Sequence, residues 1–468
     1  MEIAGRHVLV AGAGVTGKSI VPVLVEQGAR VTVTDGNAER LAELEGLGAE
    51  LVPGLDAPPD DVVLVVTSPG WRPTAPLLVA AAEAGIEVIG DVELAWRIGR
   101  LREHPPSWLA VTGTNGKTTT VGMLESILRA AGANAVACGN IGYAALDAVR
   151  AGYDVLAVEL SSFQLHWSST LAPDAAVVLN LAEDHIDWHG SMEDYAAAKG
   201  QVYERAKVVV HNADDEWSTR IADEHAPEDA RRVGFQLDTP RAGELGLVED
   251  LLVDRAFVAD PATSAEELAT LADVRPSGPH NVANALAAAA LARAHGVTPE
   301  AVLKGLREYQ PAPHRAVEVA EVGGVRYIND SKATNPHAAA GSLRAHASVV
   351  WIAGGQLKGA SVDELVTSIA GRLRGVVLLG VDSPVIAAAV ARHAPDVPVN
   401  SLGPGHDDPM TAAVDAASAM ARPGDVVLLA PAAASLDMFR NYGERGDAFA
   451  TAVRALRDRA AGESSGGS

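Results

Sequence analysis

One pattern recurs three times in this chain. A short apolar, β-rich run passes straight into a glycine-rich loop, and the loop into a helical stretch. The first is His7 to Ala11 followed by Gly12-Ala13-Gly14-Val15-Thr16-Gly17. The second is Trp108 to Thr112 followed by Gly113-Thr114-Asn115-Gly116-Lys117-Thr118. The third is Val349 to Ala353 followed by Gly354-Gly355-Gln356-Leu357-Lys358-Gly359. Strands that alternate with helices build parallel sheets through crossover connections, so the fold class is α/β. Three such openings in 468 residues fit three domains. Two proline-bearing stretches separate them, Glu-His-Pro-Pro-Ser at 103–107 and Tyr-Gln-Pro-Ala-Pro-His at 309–314. Proline removes a backbone donor and biases its neighbour away from helix, which suits a domain boundary.

Charge and composition narrow the class of partner. Thirty-seven Lys and Arg stand against 60 Asp and Glu, a net charge of −23. So acidic a surface repels polyphosphate backbones, and no nucleic-acid partner is expected. An anionic substrate must then be met by a few local cations. The single cysteine, Cys138, excludes an intrachain disulfide. No run of about 18 apolar residues is present, so no membrane span is expected, and the N-terminus lacks the pattern of a signal peptide. The expectation is a soluble cytoplasmic protein with a disordered tail over 461–468.

The first two loops compete for a nucleotide. Gly12, Gly14 and Gly17 satisfy G-x-G-x-x-G, and Asp35 ends the next strand eighteen residues after Gly17. That is the dinucleotide fingerprint with its ribose-reading acid. The same loop, Gly12 to Ser19, also satisfies G-x-x-x-x-G-K-S, so on its own it decides nothing. A triphosphate site needs loop N–H groups, a lysine, a hydroxyl for Mg²⁺ and a carboxylate that sees the metal. After Lys117-Thr118 comes the apolar run Asp154 to Val158 ending in Glu159. After the first loop, the similar run Asp61 to Ser68 ends without an acid. The second loop is therefore the triphosphate candidate, although valine occupies position 111 where the full motif has its outer glycine.

In the middle third, Val177 to Leu181 reads as a strand running into Glu183-Asp184-His185, which places His185 at a strand end. Mg²⁺ prefers oxygen ligands, so a histidine there needs an anionic neighbour. Lys199, in the helical Tyr195-Ala196-Ala197-Ala198-Lys199, would be repelled by a metal as an ammonium and attracted as a carbamate. The alternatives are a capping or solvent-facing His185 and a surface Lys199.

Taken together, these segments resemble the Mur ligases of peptidoglycan synthesis over essentially the whole chain except the tail. The residues that carry the resemblance are Gly113 to Thr119, Gly139-Asn140-Ile141-Gly142, Glu159-Leu160-Ser161-Ser162-Phe163-Gln164-Leu165, and His185 with Lys199. Further along they are His314-Arg315-Ala316-Val317-Glu318, Asn329 to Asn335, Gly354 to Gly359, and Ser435 to Phe439 with Glu444-Arg445-Gly446. The 329–335 and 435–446 stretches resemble the D-glutamate-adding branch of the family.

The resemblance implies an N-terminal Rossmann-like domain for a UDP-linked substrate (1–104), a central P-loop-type ATPase with a mostly parallel sheet (105–311) and a C-terminal Rossmann-like amino-acid domain (312–468). It implies ATP, two Mg²⁺ ions, UDP-N-acetylmuramoyl-L-alanine and D-glutamate, joined through an acyl phosphate by a monomer. Gly113, Thr114, Asn115, Gly116, Lys117, Thr118, Thr119, Arg315, Asp330 and Lys332 are then assigned to ATP. Thr118, Glu159, His185 and Lys199 are assigned to metal, and Lys117, Glu159, His185 and Lys199 to catalysis. Val15, Thr16, Asp35, Ser68, Asn140, Ser162 and His185 are assigned to the UDP-linked substrate. Thr334, Lys358, Ser435, Leu436 and Tyr442 are assigned to D-glutamate. Two bland readings stand beside these: Arg315, Asp330 and Lys332 as a salt-bridge set, and Ser435 as the N-cap of a helix starting at Leu436.

Overall fold

The computed structural model describes residues 3–403 and 408–465. Its strands form three sheets. The first holds β1 (His7–Ala11), β2 (Arg30–Thr34), β3 (Glu50–Leu51), β4 (Val62–Thr67) and β5 (Glu87–Gly90), all parallel, in the order β3-β2-β1-β4-β5. The second holds β6 (Ser107–Thr112), β7 (Ala135–Gly139), β8 (Val155–Glu159), β9 (Ala175–Val178), β10 (Val208–Asn212), β11 (Arg231–Phe235), β12 (Glu244–Val248), β13 (Leu251–Asp254) and β14 (Glu266–Thr270). Its order is β14-β13-β12-β11-β10-β9-β6-β8-β7, and only the β12-β13-β14 end is antiparallel. The third holds β15 (Val317–Val322), β16 (Val325–Asn329), β17 (Val349–Gly354), β18 (Leu373–Leu379), β19 (Val399–Ser401) and β20 (Val426–Leu429). Its order is β15-β16-β20-β17-β18-β19, with β15 alone antiparallel.

Helices cover both faces of a parallel sheet, so its central strands are apolar on both sides. The residues of β1, β6, β8 and β17 obey this: β1, β8 and β17 are buried along their whole length, and β6 is buried after Ser107. In each sheet the glycine loop follows the strand at which the crossovers change direction: β1 between β2 and β4, β6 between β8 and β9, and β17 between β20 and β18. Ligands of open α/β sheets bind beyond the carboxyl ends of strands at such switch points. All three loops found in the sequence therefore stand where a ligand site belongs.

The chain divides into two compact units. One comprises the residues up to Val274 with Ala283–Tyr309, and the other Arg275–Val282 with the chain after Tyr309. The first unit contains two sheets, joined by a continuous apolar core. Ile20 and Leu24 of the helix Val15–Glu26 share it with Leu146 and Val149 of the helix Ala145–Ala151. A polar bolt adds to it. Glu93, fully buried in the helix Asp91–Gly99, accepts from Arg97 Nε at 2.7 Å and from the backbone N–H groups of Ser169 and Thr170 at 3.0 Å. Glu93→Ala leaves the two backbone donors and Arg97 Nε without that acceptor, while the Arg97 Nη atoms keep Glu87. It should destabilise the first unit by about 3 kcal/mol. Urea titration followed by Trp fluorescence checks this, and a loss below about 1 kcal/mol would show that the apolar core alone holds the sheets together.

The helix that closes the chain runs Tyr442–Ser465. It takes in 461–465, which the sequence reading assigned to a disordered tail. Residues 466–468 lie outside the described ones.

Candidate active site

The loop after β6 is shaped by its glycines. Gly113 has φ +145° and Gly116 φ +86°, backbone conformations that L side chains rarely adopt. A Cβ on Gly116 would collide with Asn284 Oδ1. Segments at the end of β9 strap the loop down. Thr114 N donates to Asn180 O at 3.0 Å, Asn115 N to Asn180 Oδ1 at 2.9 Å, and Ala182 N to Thr114 Oγ1 at 3.0 Å. The helix Lys117–Ala130 opens immediately after, so its free N–H groups and positive dipole end face the loop.

Around this loop the side chains converge. Lys117 Nζ donates to the carbonyls of Gly113 and Thr114, both at 2.8 Å. Thr118 Oγ1 donates to Glu159 Oε2 at 2.6 Å, and Asn140 Nδ2 to Glu159 Oε1 at 3.1 Å. Glu159 ends β8 and is 3% exposed. Thr119 is buried in the first turn of the helix. The hydroxyl of Thr118 and the carboxylate of Glu159 are hard oxygen donors, the kind that Mg²⁺ takes together with water and phosphate oxygens. Among the described residues no three His, Cys, Asp or Glu side chains gather as a metal cage. As two hard oxygen donors, the pair suits an ion that takes its other ligands from water and a nucleotide.

Lys199 is not on the surface. It is 1% exposed, and its Nζ donates to Gly113 O at 2.9 Å and lies 4.7 Å from the centroid of the Tyr195 ring. Burial, reinforced by the charge of Lys117, holds its amine well below the usual lysine range against the pull of Asp184 and Glu159. His185 has φ +55° and a solvent-facing ring, with Nε2 3.5 Å from Asp184 Oδ2. The ring packs on Phe163 at 4.8 Å and stands 6.4 Å from Tyr195. Ser162 is buried at the start of the helix Ser162–His166, and its Oγ is 2.9 Å from His189 Nε2. Burial above all pushes His189 down to about 4, which leaves its ring neutral.

The first loop is committed differently. Gly12, at φ +115°, has no room for a Cβ beside Ser68, and Gly17 has none beside the Gly12 carbonyl, whereas Gly14 faces open space. Asp35 ties the loop to the end of β2, accepting from Ala13 N at 2.8 Å and Asn37 N at 2.9 Å. Ser68 Oγ, facing Gly12, is buried without a hydrogen-bond partner. Val15 is largely exposed and Thr16 half-buried at the start of the helix. The side chains that would make this a second triphosphate loop are engaged elsewhere: Lys18 pairs with Glu43 at 2.6 Å and Ser19 donates to Asp147 at 2.8 Å.

In the second unit most of the expected residues lie in three loops at strand ends, with Arg315 just before β15 and Tyr442 at the start of the last helix. Asp330 follows β16, accepts from Ala316 N at 3.2 Å, and is pushed up to about 6 by burial against the opposing charge of Arg315. Lys332 Nζ sits 4.1 Å from the Tyr442 ring centroid, and Thr334 N donates to Lys332 O at 2.7 Å. Lys358, exposed at φ +54°, belongs to the loop after β17. Gln356 and Ala434 exchange backbone hydrogen bonds of 2.8 and 2.9 Å, which fixes that loop beside Ser435 and Leu436 after β20. Ser435 is buried and Leu436 is 62% exposed. No helix starts at Leu436. Residues 436–438 form a turn closed by Met438 N and Phe439 N on Ser435 O, so Ser435 is not an N-cap.

Comparison with known proteins agrees with this layout. Sequence profiles match at residues 6–90 (Mur ligase MurD-like, N-terminal domain), 111–292 (Mur ligase middle domain) and 314–433 (Mur ligase, glutamate ligase domain). The chain is 59% identical to the UDP-N-acetylmuramoylalanine--D-glutamate ligase of Thermobifida fusca, over 97% of this chain and 100% of that protein. The chain belongs to the Mur ligase family. The like-named protein of Streptomyces coelicolor is 56% identical, with 97% of this chain and 99% of that one covered. Among solved structures, UDP-N-acetylmuramate-alanine ligase from Thermotoga maritima has a TM-score of 0.57 at 19% identity and covers 96% of this chain and 99% of its own. That likeness shows the fold: three α/β domains with mostly parallel sheets.

Sequence reasoning missed several residues at this Mur ligase's site. Asn284 abuts the phosphate-type loop from a helix far along the chain, Asn180 holds the loop by side chain and backbone, and His189 holds Ser162. Asn180 stood in the strand-end stretch already singled out. Asn284 stood in an alanine-rich helix that carries no local signal.

Proposed function

We propose that this Mur ligase joins UDP-N-acetylmuramoyl-L-alanine to D-glutamate in an ATP-driven, ADP-forming reaction. The observation that carries it is the junction of Lys117, Thr118 and Glu159 at the switch point of the second sheet. The names of its full-length relatives supply the substrates. In this reading the enzyme works as a monomer in the cytoplasm, with domains over 1–104, 105–311 and 312–468.

A carboxylate is a poor electrophile, because its charge is delocalised and its leaving group would be oxide. One carboxylate oxygen of the L-alanyl end attacks the γ-phosphorus, and ADP departs. The α-amine of D-glutamate then attacks the acyl carbon. A proton is lost, the tetrahedral centre collapses, and inorganic phosphate leaves with that carboxylate oxygen. Both steps crowd negative charge together, so the protein's task is positioning and charge stabilisation.

Lys117 turns from the Gly113 and Thr114 carbonyls to the β/γ-phosphates, while the free N–H groups that open the helix Lys117–Ala130 hold their oxygens. Thr118 and Glu159 would hold one Mg²⁺, with Asn140 keeping Glu159 in place. A carbamate on Lys199, together with His185, would hold a second. Bound ions would supply positive charge to offset the negative charge that gathers in both steps. Neutral His189 orients Ser162 toward the muramoyl substrate. Asp35, Ser68, Val15 and Thr16 meet the UDP end, and Arg315, Asp330 and Lys332 meet the nucleotide from the third domain. Thr334, Lys358, Ser435, Leu436 and Tyr442 bind D-glutamate, with Lys358 and the hydroxyls facing its carboxylates.

ADP release measured with each substrate alone and with both tests the reading. Turnover should require UDP-N-acetylmuramoyl-L-alanine and D-glutamate together. ¹⁸O placed in the alanyl carboxylate should appear in the released phosphate, and its absence from phosphate would rule out the acyl phosphate.

A further inference from the structure

Arg445 is the most deeply buried cation of the second unit, 1% exposed at the start of the helix Tyr442–Ser465. A guanidinium in such a place is ordinarily neutralised by a carboxylate. Here its donors go to backbone carbonyls and one hydroxyl. Nε donates to Ser331 Oγ at 3.0 Å, Nη2 to Ser331 O at 2.8 Å, and Nη1 to Ala433 O at 3.1 Å and Gly354 O at 3.4 Å. Among the described residues no carboxylate forms an ion pair with it. The negative charge of Asp437 acts on it from nearby, but Asp437 Oδ2 accepts from Val381 N at 2.9 Å and Oδ1 has no hydrogen-bond partner. Burial pulls the guanidinium down to about 10, so it keeps its charge at neutral pH.

Those acceptors belong to three loops. Ser331 follows β16 and adjoins Lys332 and Thr334. Gly354 ends β17 and opens the loop to Lys358. Ala433 follows β20, two residues before Ser435. Ser331 Oγ in turn donates to Tyr442 O at 2.7 Å. One planar fork thus fixes the spacing of every segment assigned to the amino-acid substrate. Its charge lies beneath them with no ion-pair partner among the described residues and only the nearby Asp437 carboxylate opposing it, on a chain whose net charge is −23.

We infer that Arg445 is the positioning residue for the dicarboxylate amino acid: it clamps the three loops that form the pocket, and its buried charge draws the substrate's carboxylates to them. This rests on the proposed use of D-glutamate. The same field favours the unprotonated α-amine, the form that attacks the acyl carbon.

Steady-state kinetics with each of the three substrates varied in turn test the inference on R445M, R445K and S331A, with thermal melting alongside. R445M should raise KM for D-glutamate at least tenfold and leave KM for ATP and for UDP-N-acetylmuramoyl-L-alanine within twofold. R445K keeps the charge without the fork and should fall between R445M and the parent. S331A, which cuts the ties to Nε and Tyr442 but leaves the cation, should raise the D-glutamate KM less than R445M does. Should R445M not fold, R445K and S331A carry the test by the same split. Equal changes in all three KM values, or a fall in kcat alone, would overturn the inference. A parent enzyme that turns over without D-glutamate would instead overturn the reading beneath it.

Discussion

Lys199→Ala should lose activity by about 10²- to 10³-fold, the size of effect expected when one preorganised charged group is removed, and a short carboxylic acid such as acetate should restore part of it. The expectation rests on the state of the amine. Carbon dioxide adds only to a neutral amine, with loss of a proton, and an ordinary lysine is charged at neutral pH. Lys199 is fully enclosed beside Lys117, and both circumstances favour its neutral form. The carbamate that results is an anion with two oxygens at the end of the side chain. It replaces repulsion from Lys117 and from a metal by attraction. Alanine at 199 leaves a space of the same shape, which a small carboxylate can enter. Lys199→Arg should not recover activity, because a guanidinium stays charged and takes up no carbon dioxide. Assays of kcat with and without added acetate, and ¹³C NMR of the parent enzyme in labelled bicarbonate, check the expectation. Full activity of Lys199→Ala without acetate would show that the modification is dispensable.

The elements that could be read from sequence are those written in neighbouring residues. Strand, glycine loop and helix follow one another at 7–17, 107–118 and 349–359, and all three proved to be switch points. The choice between the first two loops also lay in local sequence, because only the run after the second ends in an acid. The contacts of the two loops differ in the same sense. Glu159 meets Thr118, while Lys18 and Ser19 are engaged with Glu43 and Asp147.

What sequence concealed was depth and distance. Lys199 lies in an alanine-rich helix and reads equally well as surface or core, and only the packing under Gly113 decides. Asn284 reaches the loop across a long stretch of chain, and Arg445 stands among charged residues that are mostly exposed. The end of the chain, rich in Gly and Ser, nevertheless continues a helix as far as Ser465. Ser435 has the chemistry of an N-cap but lies in a turn tied to Gln356 through Ala434. In each case a tertiary contact overrides the local preference.

Lys117→Ala should lower kcat by about 10³-fold or more, and Glu159→Gln by about 10²- to 10³-fold. Lys117 brings a cation to the loop's carbonyls, and its bonds to Gly113 O and Thr114 O are weak enough to exchange for phosphate oxygens. Glutamine at 159 keeps the volume of the carboxylate but loses its charge. Its amide nitrogen cannot accept, so it must break the bond from either Thr118 or Asn140. The Mg²⁺ concentration for half-maximal rate should therefore rise for Glu159→Gln along with the fall in kcat. Lys18→Ala is the control. Lys18 belongs to the better formal match to a triphosphate motif, yet it is a surface residue paired with Glu43, and its loss should change kcat by less than about twofold. Measuring kcat for the three variants decides between the loops. If Lys18→Ala were the inactive one and Lys117→Ala the active one, the triphosphate would lie on the first sheet and the mechanism proposed for the second would fail.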